Sequence, residues 1–280
     1  MTIQTYDTVT LGAVVRALPR ALPFLLEKFF PTVRLFNGKK IAFDDIATDR
    51  RIAPFVSPVE AGQVVSARGS VMKDFTPAYI KPKHLVDPNR IVDRLPGESI
   101  GGDITIGGRR DTVIADNLRM ERDAILYRLE WMAAKVVLDG KVTISGEKYP
   151  TVEVDFGRDP ALTKVLTGTA LWTDTVNSDP IEDIENWSSE KDGPTTDITM
   201  GKAAWSAFRK HPKVKDVLDT NIRGTESWLE IGPGAGEDVR LAGILSGTML
   251  VWVYSAEYED DDGNYVPYVP DNRVILASPA

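Results

Sequence analysis

The longest periodic pattern of apolar positions in the chain runs from residue 109 to residue 139. Its apolar residues recur at spacings of three, four or seven: Ile114, Leu118, Ile125, Leu129, Met132 and Val136. This spacing predicts one face of an amphipathic helix. Asp111 is a candidate N-cap, and Gly140 is expected to end the helix. At about 1.5 Å per residue, such a helix is roughly 45 Å long.

A second helical candidate, residues 22–30, is apolar on almost every side. Its apolar residues are Leu22, Phe24, Leu25, Leu26, Phe29 and Phe30. Such a helix must be covered on most of its surface. Because it lies near the start of the chain, we expect it to pack on a neighbouring copy rather than in its own core. Residues 9–18 predict another short helix.

Residues 53–88 combine five prolines with apolar runs that are too short for helices. Proline fixes φ and removes a backbone donor, so it confines strands to sheet edges. The pattern, with paired glycines at 101–102 and 107–108, predicts a two-stranded arm over residues 53–108 that stands off the core. An isolated arm is marginally stable in water, so another copy should cover it. Its candidate contact residues are Phe75, Tyr79, Lys81 and Lys83.

The rest of the chain mixes short strands with helices. Strands are predicted at 39–46, 141–145, 151–157 and 195–200, and helices at 179–191, 202–211 and 213–219. Asp261-Asp262-Gly263 predicts the turn of a hairpin between residues 250–255 and 265–269. Strands and helices without regular βαβ alternation indicate an α+β fold.

The charge of the chain is acidic overall and unevenly distributed. The formal net charge is −8 over 280 residues, which argues against a general nucleic-acid binder. Residues 1–42 carry six Lys/Arg against two Asp/Glu, whereas residues 179–200 carry seven acids against one Lys. Two interpretations stay open: each is a solvated face, or a basic arm meets an acidic patch on a neighbouring subunit.

No catalytic constellation emerges from the sequence. The chain has no cysteine and two histidines, which disfavours a zinc site. Gly232–Gly236 lacks the Gly-Lys of a phosphate loop, and Glu259–Gly263 lacks the spacing of an EF-hand. The pair Glu182 and Glu185 fits a solvated helix face better than acid–base chemistry. We therefore predict a protein that is not an enzyme, with no catalytic, cofactor or metal site and no membrane span.

Several blocks resemble the lambda-type major capsid proteins of tailed phages. They are APFVSP (53–58), FTPAYIKPKHLVDP (75–88) and LAGILSGTMLVWVYSAEYEDDDGNYVPYVPDNRVIL (241–276). The resemblance covers nearly the whole chain in the family's order. In that family a further segment follows the VPDN strand and returns to the peripheral domain. Because this chain stops at Ala280, we expect those C-terminal peripheral strands to be missing.

The resemblance implies the Hong Kong-type phage capsid fold and a division of the chain. Residues 1–38 would form an N-terminal arm, 39–52 a peripheral strand and 53–108 the extended loop. Residues 109–155 would hold the spine helix of the peripheral domain, and 156–280 a mixed axial domain. The implied function is a structural shell protein of the virion capsid, assembled in the bacterial cytoplasm as hexamers and pentamers around double-stranded DNA. The implied partners are further copies, a decoration protein, a scaffold, a portal and DNA held non-specifically.

Two other functions stay open at this point. A nanocompartment shell of the same fold, of the encapsulin type, would enclose cargo enzyme instead of DNA. An uncharacterised hydrolase would need an acid or nucleophile site that the sequence does not reveal. Electron microscopy of the assembled product separates the shells from the enzyme.

Overall fold

The protein is described here from a computed structural model that covers residues 23–38, 40–46, 70–87, 92, 105–146, 149–191, 193–221, 228–229 and 238–279. The described helices are α1 (Phe24–Phe29), α2 (Ile106–Asp139), α3 (Pro180–Glu190), α4 (Lys202–Lys210) and α5 (Pro212–Asn221). The predictions for Leu22 and the helix at 9–18, for residues 53–69 and 101–102, and for the 232–236 loop lie outside the described residues. The mixture of helix and sheet confirms the α+β prediction.

The strands form one central sheet and three two-stranded ribbons. In chain order they are β1 (Ile41–Ile46), β2 (Ser70–Phe75), β3 (Lys141–Gly146), β4 (Tyr149–Asp155), β5 (Asp197–Met200), β6 (Trp228–Leu229), β7 (Val239–Leu245), β8 (Met249–Tyr254), β9 (Glu257–Glu259), β10 (Tyr265–Pro267) and β11 (Val274–Ala277). The five-stranded sheet has the order β11-β5-β8-β7-β6, and β5 and β8 run parallel. The other pairs in it are antiparallel.

The predicted long helix is present as α2, with 34 residues. It begins at Ile106 rather than near Asp111, because the Thr105 hydroxyl caps it and accepts a hydrogen bond from the Gly108 amide at 3.1 Å. Gly140 ends it as predicted, with φ of 71° and its amide bonded to the Val136 carbonyl. The predicted arm therefore cannot extend to residue 108, since its last residues belong to the helix.

The buried residues of α2 are not those of the predicted apolar stripe. They are Val113, Asn117, Leu126, Glu130, Ala133 and Ala134. The predicted stripe from Ile114 to Val136 is half-buried. The buried residues lie one position before the stripe in the first half of the helix and one position after it around residues 125–133. The prediction of the face was wrong because two of the buried positions are polar, Asn117 and Glu130.

The main core lies between the central sheet and helices α3, α4 and α5. Ile184 of α3, Phe208 of α4 and Val214 of α5 are fully or almost fully buried in it. Ile198 and Val251 contribute from the parallel strand pair. This core fixes the position of β5 and β8, and Tyr254 at the end of β8 belongs to the second core described below.

The hairpin prediction was partly wrong. Residues 249–254 form β8 within the five-stranded sheet, and β10 pairs instead with β9 at Tyr265–Glu259, Val266–Tyr258 and Pro267–Glu257. Strand β8 pairs with β5 on one side and β7 on the other, so neither of its edges is free for β10. The predicted Asp-Gly turn is correct, and Gly263 adopts φ of 82° there.

A separate ribbon joins β1 to β2, with six residue pairs from Ile41–Phe75 to Ile46–Ser70. From the sequence, β1 was expected in a peripheral strand (39–52) and β2 in the extended arm (53–108). The structure pairs them, so the arm strand β2 has a partner that lies before residue 53. Lys40 and Asp74 form an exposed ion pair of 2.8 Å at the end of this ribbon.

Helix α1 packs inside its own chain, contrary to the sequence-based expectation. Leu25 is 0% and Phe29 5% exposed. They belong to a second core with Ala133 and Ala134 of α2 and with Tyr254 of β8. The expectation was wrong because the small residues of α2 let a short apolar helix approach closely. Leu25 and Phe29 are therefore unavailable to a neighbouring copy.

Gly201, between β5 and α4, packs closely against the backbone of residues 270 and 271, and a substitution there tests this contact. An added Cβ would meet the Pro270 carbonyl oxygen and, at 2.6 Å, the Asp271 carbonyl oxygen. Because these are backbone atoms, Gly201→Ala should lower the free energy of unfolding by about 1–3 kcal/mol. Urea denaturation measures the change.

The matched control is Gly107→Ala in the first turn of α2. The nearest atom to its added Cβ is the Thr105 hydroxyl at 3.8 Å. Alanine favours the helix over glycine, so stability should rise by up to about 1 kcal/mol. Equal effects of the two substitutions would contradict the close contact at Gly201.

Candidate functional site

A buried carboxylate on α2 holds α1 in place. Glu130 is 3% exposed. Its Oε1 accepts hydrogen bonds from the Leu25 amide at 2.8 Å and the Tyr254 hydroxyl at 2.7 Å, and its Oε2 accepts one from the Leu26 amide at 2.9 Å. These amides lie in the first turn of α1, where backbone donors lack partners within the helix. One side chain thus joins α1, α2 and β8.

Burial dominates the electrostatics of this group. Removal from water raises the pKa of Glu130, although its three hydrogen-bond donors oppose the shift. The same burial, together with the charge of Glu130, raises the pKa of Tyr254 far above its usual range. Tyr254 is therefore a permanent donor to the carboxylate. The arrangement is suited to holding α1, α2 and β8 together.

A second polar contact joins α1 to the central sheet. The Lys28 ammonium lies 2.8 Å from Asp197 Oδ1 and 4.4 Å from the centroid of the Trp252 ring. The Trp252 indole also donates to Asp197 Oδ1 at 2.8 Å. Burial pushes the pKa of Asp197 upward, but hydrogen bonds from Lys28, Thr196 and Trp252 outweigh it and hold that pKa below its usual range.

Aromatic side chains fill the space between these two polar contacts. The Phe24 ring lies 5.1 Å from that of Trp252 and 5.7 Å from that of Tyr254, measured between centroids. Tyr268 lies 6.2 Å from Tyr254. Such tilted and stacked pairs add to the free energy of apolar burial. Helix α1 is thus held against both α2 and the central sheet.

The remaining predicted assembly residues divide into covered and exposed groups. Phe24 and Leu26 are half-buried by the second core, whereas Phe30 is 38% exposed. Phe75 is half-buried at the end of β2. Tyr79 is 81% exposed, with the Lys81 ammonium 4.7 Å from its ring centroid, and Lys83 is exposed nearby. The structure brings Tyr79 and Lys81 together but does not join them to α1.

Residues 76–87 form an extended segment attached to β4 and α2. The Tyr149 hydroxyl donates to the Thr76 carbonyl at 2.7 Å. The His84 amide donates to Glu121 of α2 at 2.8 Å. These bonds fix the two ends of the segment, while Tyr79 between them stays open to solvent. Exposed apolar side chains held on an ordered backbone are suited to contact with another protein.

The described residues offer little for catalysis. No group of three or more His, Cys, Asp or Glu side chains in this part of the chain could hold a metal ion. Glu182 and Glu185 are exposed on α3, as predicted. His211 is fully buried, and its Nε2 lies 3.2 Å from the Ser178 hydroxyl. None of the helices described has the length and apolarity of a bilayer crossing.

Sequence reasoning missed the polar residues that organise the second core. Lys28 and Asp197 were counted only within the basic stretch 1–42 and the acidic stretch 179–200, and Glu130 was not singled out. A usable signal was present: Glu130 lies three and four residues before Ala133 and Ala134, which places it on the small-residue face of the helix. Which donors it meets depends on contacts between residues more than 100 positions apart, since Leu25 and Glu130 are separated by 105.

Glu130→Gln should destabilise the protein by about 1–3 kcal/mol, because the amide nitrogen would face a backbone donor. Glu130→Ala should cost more, since it leaves three donors unsatisfied and opens a cavity. Thermal and urea unfolding measure both changes. Glu185→Gln on the exposed face of α3 is the control and should be nearly neutral.

The contribution of Glu130 to the free energy of unfolding should depend on pH with a defined sign. A folded-state pKa of Glu130 above its ordinary 4.5 means that folding takes up protons. The resulting stabilisation is complete below that ordinary value and is lost as the pH rises through the folded pKa. The stability advantage of wild type over Glu130→Gln should therefore shrink as pH rises from 4.5. An advantage that grows over this interval would contradict the assignment.

A double-mutant cycle of Lys28→Met and Asp197→Asn measures the coupling free energy between Lys28 and Asp197. We expect a coupling of about 1–3 kcal/mol, because Asp197 is buried and Lys28 mostly covered. The exposed pair of Lys202 and Glu257, at 3.3 Å, is the control and should couple several-fold more weakly. Equal coupling free energies for the two pairs would show that burial does not strengthen the contact between Lys28 and Asp197.

Comparisons with known proteins agree over almost the whole chain. A family model described as phage major capsid protein E matches residues 7–280. The major capsid protein of Escherichia phage N15 is 34% identical over 279 residues, covering 99% of this chain and 81% of that protein. The major capsid protein of Escherichia phage lambda is 34% identical over 276 residues, covering 98% and 80%.

A solved structure supports the same fold. A crystal structure described as that of a prophage capsid protein from E. coli CFT073 matches with a TM-score of 0.70 and 23% identity, covering 98% of this chain and 80% of that one. At this identity the likeness concerns the fold. The family match and the two phage relatives confirm the resemblance seen in the sequence. The chain belongs to the phage major capsid protein E family.

Proposed function

We propose that this chain is the structural unit of a phage or prophage head, which self-assembles into a closed shell. The observation that carries the proposal is the match of residues 7–280 to the phage major capsid protein E family. The relatives in phages N15 and lambda bear the name major capsid protein. The protein acts through its repeated interfaces and needs no chemistry of its own.

The finer features of the proposal follow from the family. The chain adopts the Hong Kong-type arrangement, in which α2 is the spine of a peripheral domain and the five-stranded sheet belongs to an axial domain. Hexamers and pentamers close an icosahedral shell around double-stranded DNA in the bacterial cytoplasm. Decoration protein, scaffold and portal act at this shell. The acidic net charge of −8 suits a wall that holds DNA without binding it tightly.

Exposed apolar side chains support the self-assembly proposal. After α1, the chain exposes Val33 (82%), Leu35 (94%) and Phe36 (48%), next to Phe30. Tyr79, Ile80 and Leu85 are exposed in the segment 76–87. Such groups in water favour association. The intermolecular role first expected for residues 22–30 thus passes to residues 30–36, because the helix itself is covered.

The direct test is electron microscopy and analytical ultracentrifugation of the purified full chain across a range of concentrations. The expected result is rings or closed shells of uniform size. The DNA content of shells isolated from expressing cells separates a phage head from a compartment that encloses protein cargo. A protein that remains monomeric at all concentrations would contradict the proposal.

A point variant tests the exposed segment. Tyr79→Ala should lower the assembled fraction at a fixed concentration several-fold, because exposed aromatic residues frequently anchor interfaces. Its melting temperature should stay within about 1 °C, since Tyr79 is 81% exposed within the chain. Tyr127→Ala, at a 53% exposed position on α2, is the matched control. Equal loss of assembly in both would remove the specific role of Tyr79.

A further inference from the structure

A cleft of about 520 Å³ lies between the end of α2, the loop 158–173 and the edge strand β11. The loop contains two short 3₁₀ turns, Pro160–Leu162 and Gly168–Ala170. Trp172 and Trp187 line the interior, while Leu162, Val165 and Leu171 are 41%, 73% and 43% exposed. A contiguous apolar cleft of this kind is suited to a partner.

The charges around the cleft have one sign. Arg158, Lys164, Lys191 and Arg273 line it, and no acidic residue does. Arg158 is engaged by the Val137 and Leu138 carbonyls, and Lys164 by Glu190. Within the described residues, Lys191 and Arg273 form no ion pair. Burial lowers the pKa of Lys191, so an arriving carboxylate would restore a favourable environment for its charge.

A complementary surface lies elsewhere on the same chain. The turn between β9 and β10 carries Glu259, Asp260, Asp261 and Asp262, and Tyr265 beside it is 73% exposed. Asp260 fixes the turn, because its Oδ1 accepts from the Asp262 amide at 3.0 Å and the Asn264 amide at 2.8 Å. An ordered acidic turn pays little conformational entropy on binding.

We propose that the turn 259–265 of one copy docks into this cleft of a second copy. Its carboxylates meet Lys191 and Arg273, and Tyr265 packs on the apolar rim at Val165 and Leu171. The inference rests on the proposed function, since it requires that copies of the chain associate. The apolar contact supplies most of the affinity, and the charges set register and exclude other partners.

The geometry of such a contact is heterologous. The turn and the cleft are different surfaces of one chain, so each copy offers one of each. Contacts of this type run head to tail and generate rings when the rotation closes. The proposed contact would therefore join the copies of one ring within the shell. It would not be a contact across a two-fold axis.

Cysteine cross-linking tests the contact directly, because the chain has no native cysteine. Asp262→Cys and Val165→Cys are prepared as separate proteins, mixed and treated with a short bismaleimide. The mixture should yield covalent dimers at least fivefold above either protein alone, and a chain carrying both substitutions should yield a ladder of oligomers. Asp262→Cys mixed with Lys215→Cys, at an exposed position on α5, is the control.

The result that overturns the proposal is a mixture with no excess over this control. Cross-linking confined to single chains in the double variant would also overturn it, because the turn would then occupy its own cleft.

Charge reversal provides an independent test. The double variant Lys191→Glu, Arg273→Glu should lower the sedimenting assembled fraction at least tenfold. Adding Asp261→Lys and Asp262→Lys to that variant should restore the assembled fraction. Circular dichroism verifies folding, and Lys215→Glu and Glu185→Lys are the controls. If wild type assembles and the reversed variants assemble equally well, the contact is wrong while the proposed function stands. If wild type does not assemble and the mixed cysteine variants do not cross-link, both fail.

Discussion

The described structure depends on one buried carboxylate in the C-terminal part of α2. Glu130 is almost fully removed from water and receives donors from α1 and β8, which lie 105 and 124 residues away in sequence. A buried charge without partners is strongly destabilising. Separating α1 or β8 from α2 would therefore leave this carboxylate without some of its donors. This makes a six-residue helix near the start of the chain part of the folded body.

This constraint separates the internal from the external surfaces of the chain. The face of α1 that carries Leu25 and Phe29 is used within the chain, and Lys28 turns toward Asp197 of the sheet. The apolar residues that follow α1, and those of the segment 76–87, are left to the solvent. A capsid protein needs both kinds of surface, since its subunits must be rigid before they can repeat the same contact many times. The internal polar clamp supplies that rigidity without occupying the surfaces that meet other copies.

The sequence predicted elements well where local signals were strong. The presence of α2, its end at Gly140, the helices α3 to α5 and the Asp-Gly turn all follow from periodicity, C-terminal capping and turn chemistry. The resemblance of ordered blocks to lambda-type capsid proteins identified the family. These features are local, or are carried by residue order along the chain.

What failed depended on contacts between distant residues. The buried positions of α2 were missed by one residue, because an apolar stripe excludes Asn117 and Glu130. Residues 250–254 were paired with the wrong strand, since a strong turn signal cannot specify which strands flank it. The packing of α1 could not be predicted either, because the groove that accepts it is formed by α2 and β8 together.

Native-state hydrogen exchange at the Leu25 and Leu26 amides tests the central claim most directly. If Glu130 makes α1 part of one cooperative unit, both amides should exchange only through global unfolding, with the same opening free energy as the amides of β8. In Glu130→Gln they should lose protection in step with the overall stability. Exchange of these two amides by a local opening far below the global free energy of unfolding, while β8 remains protected, would contradict the account.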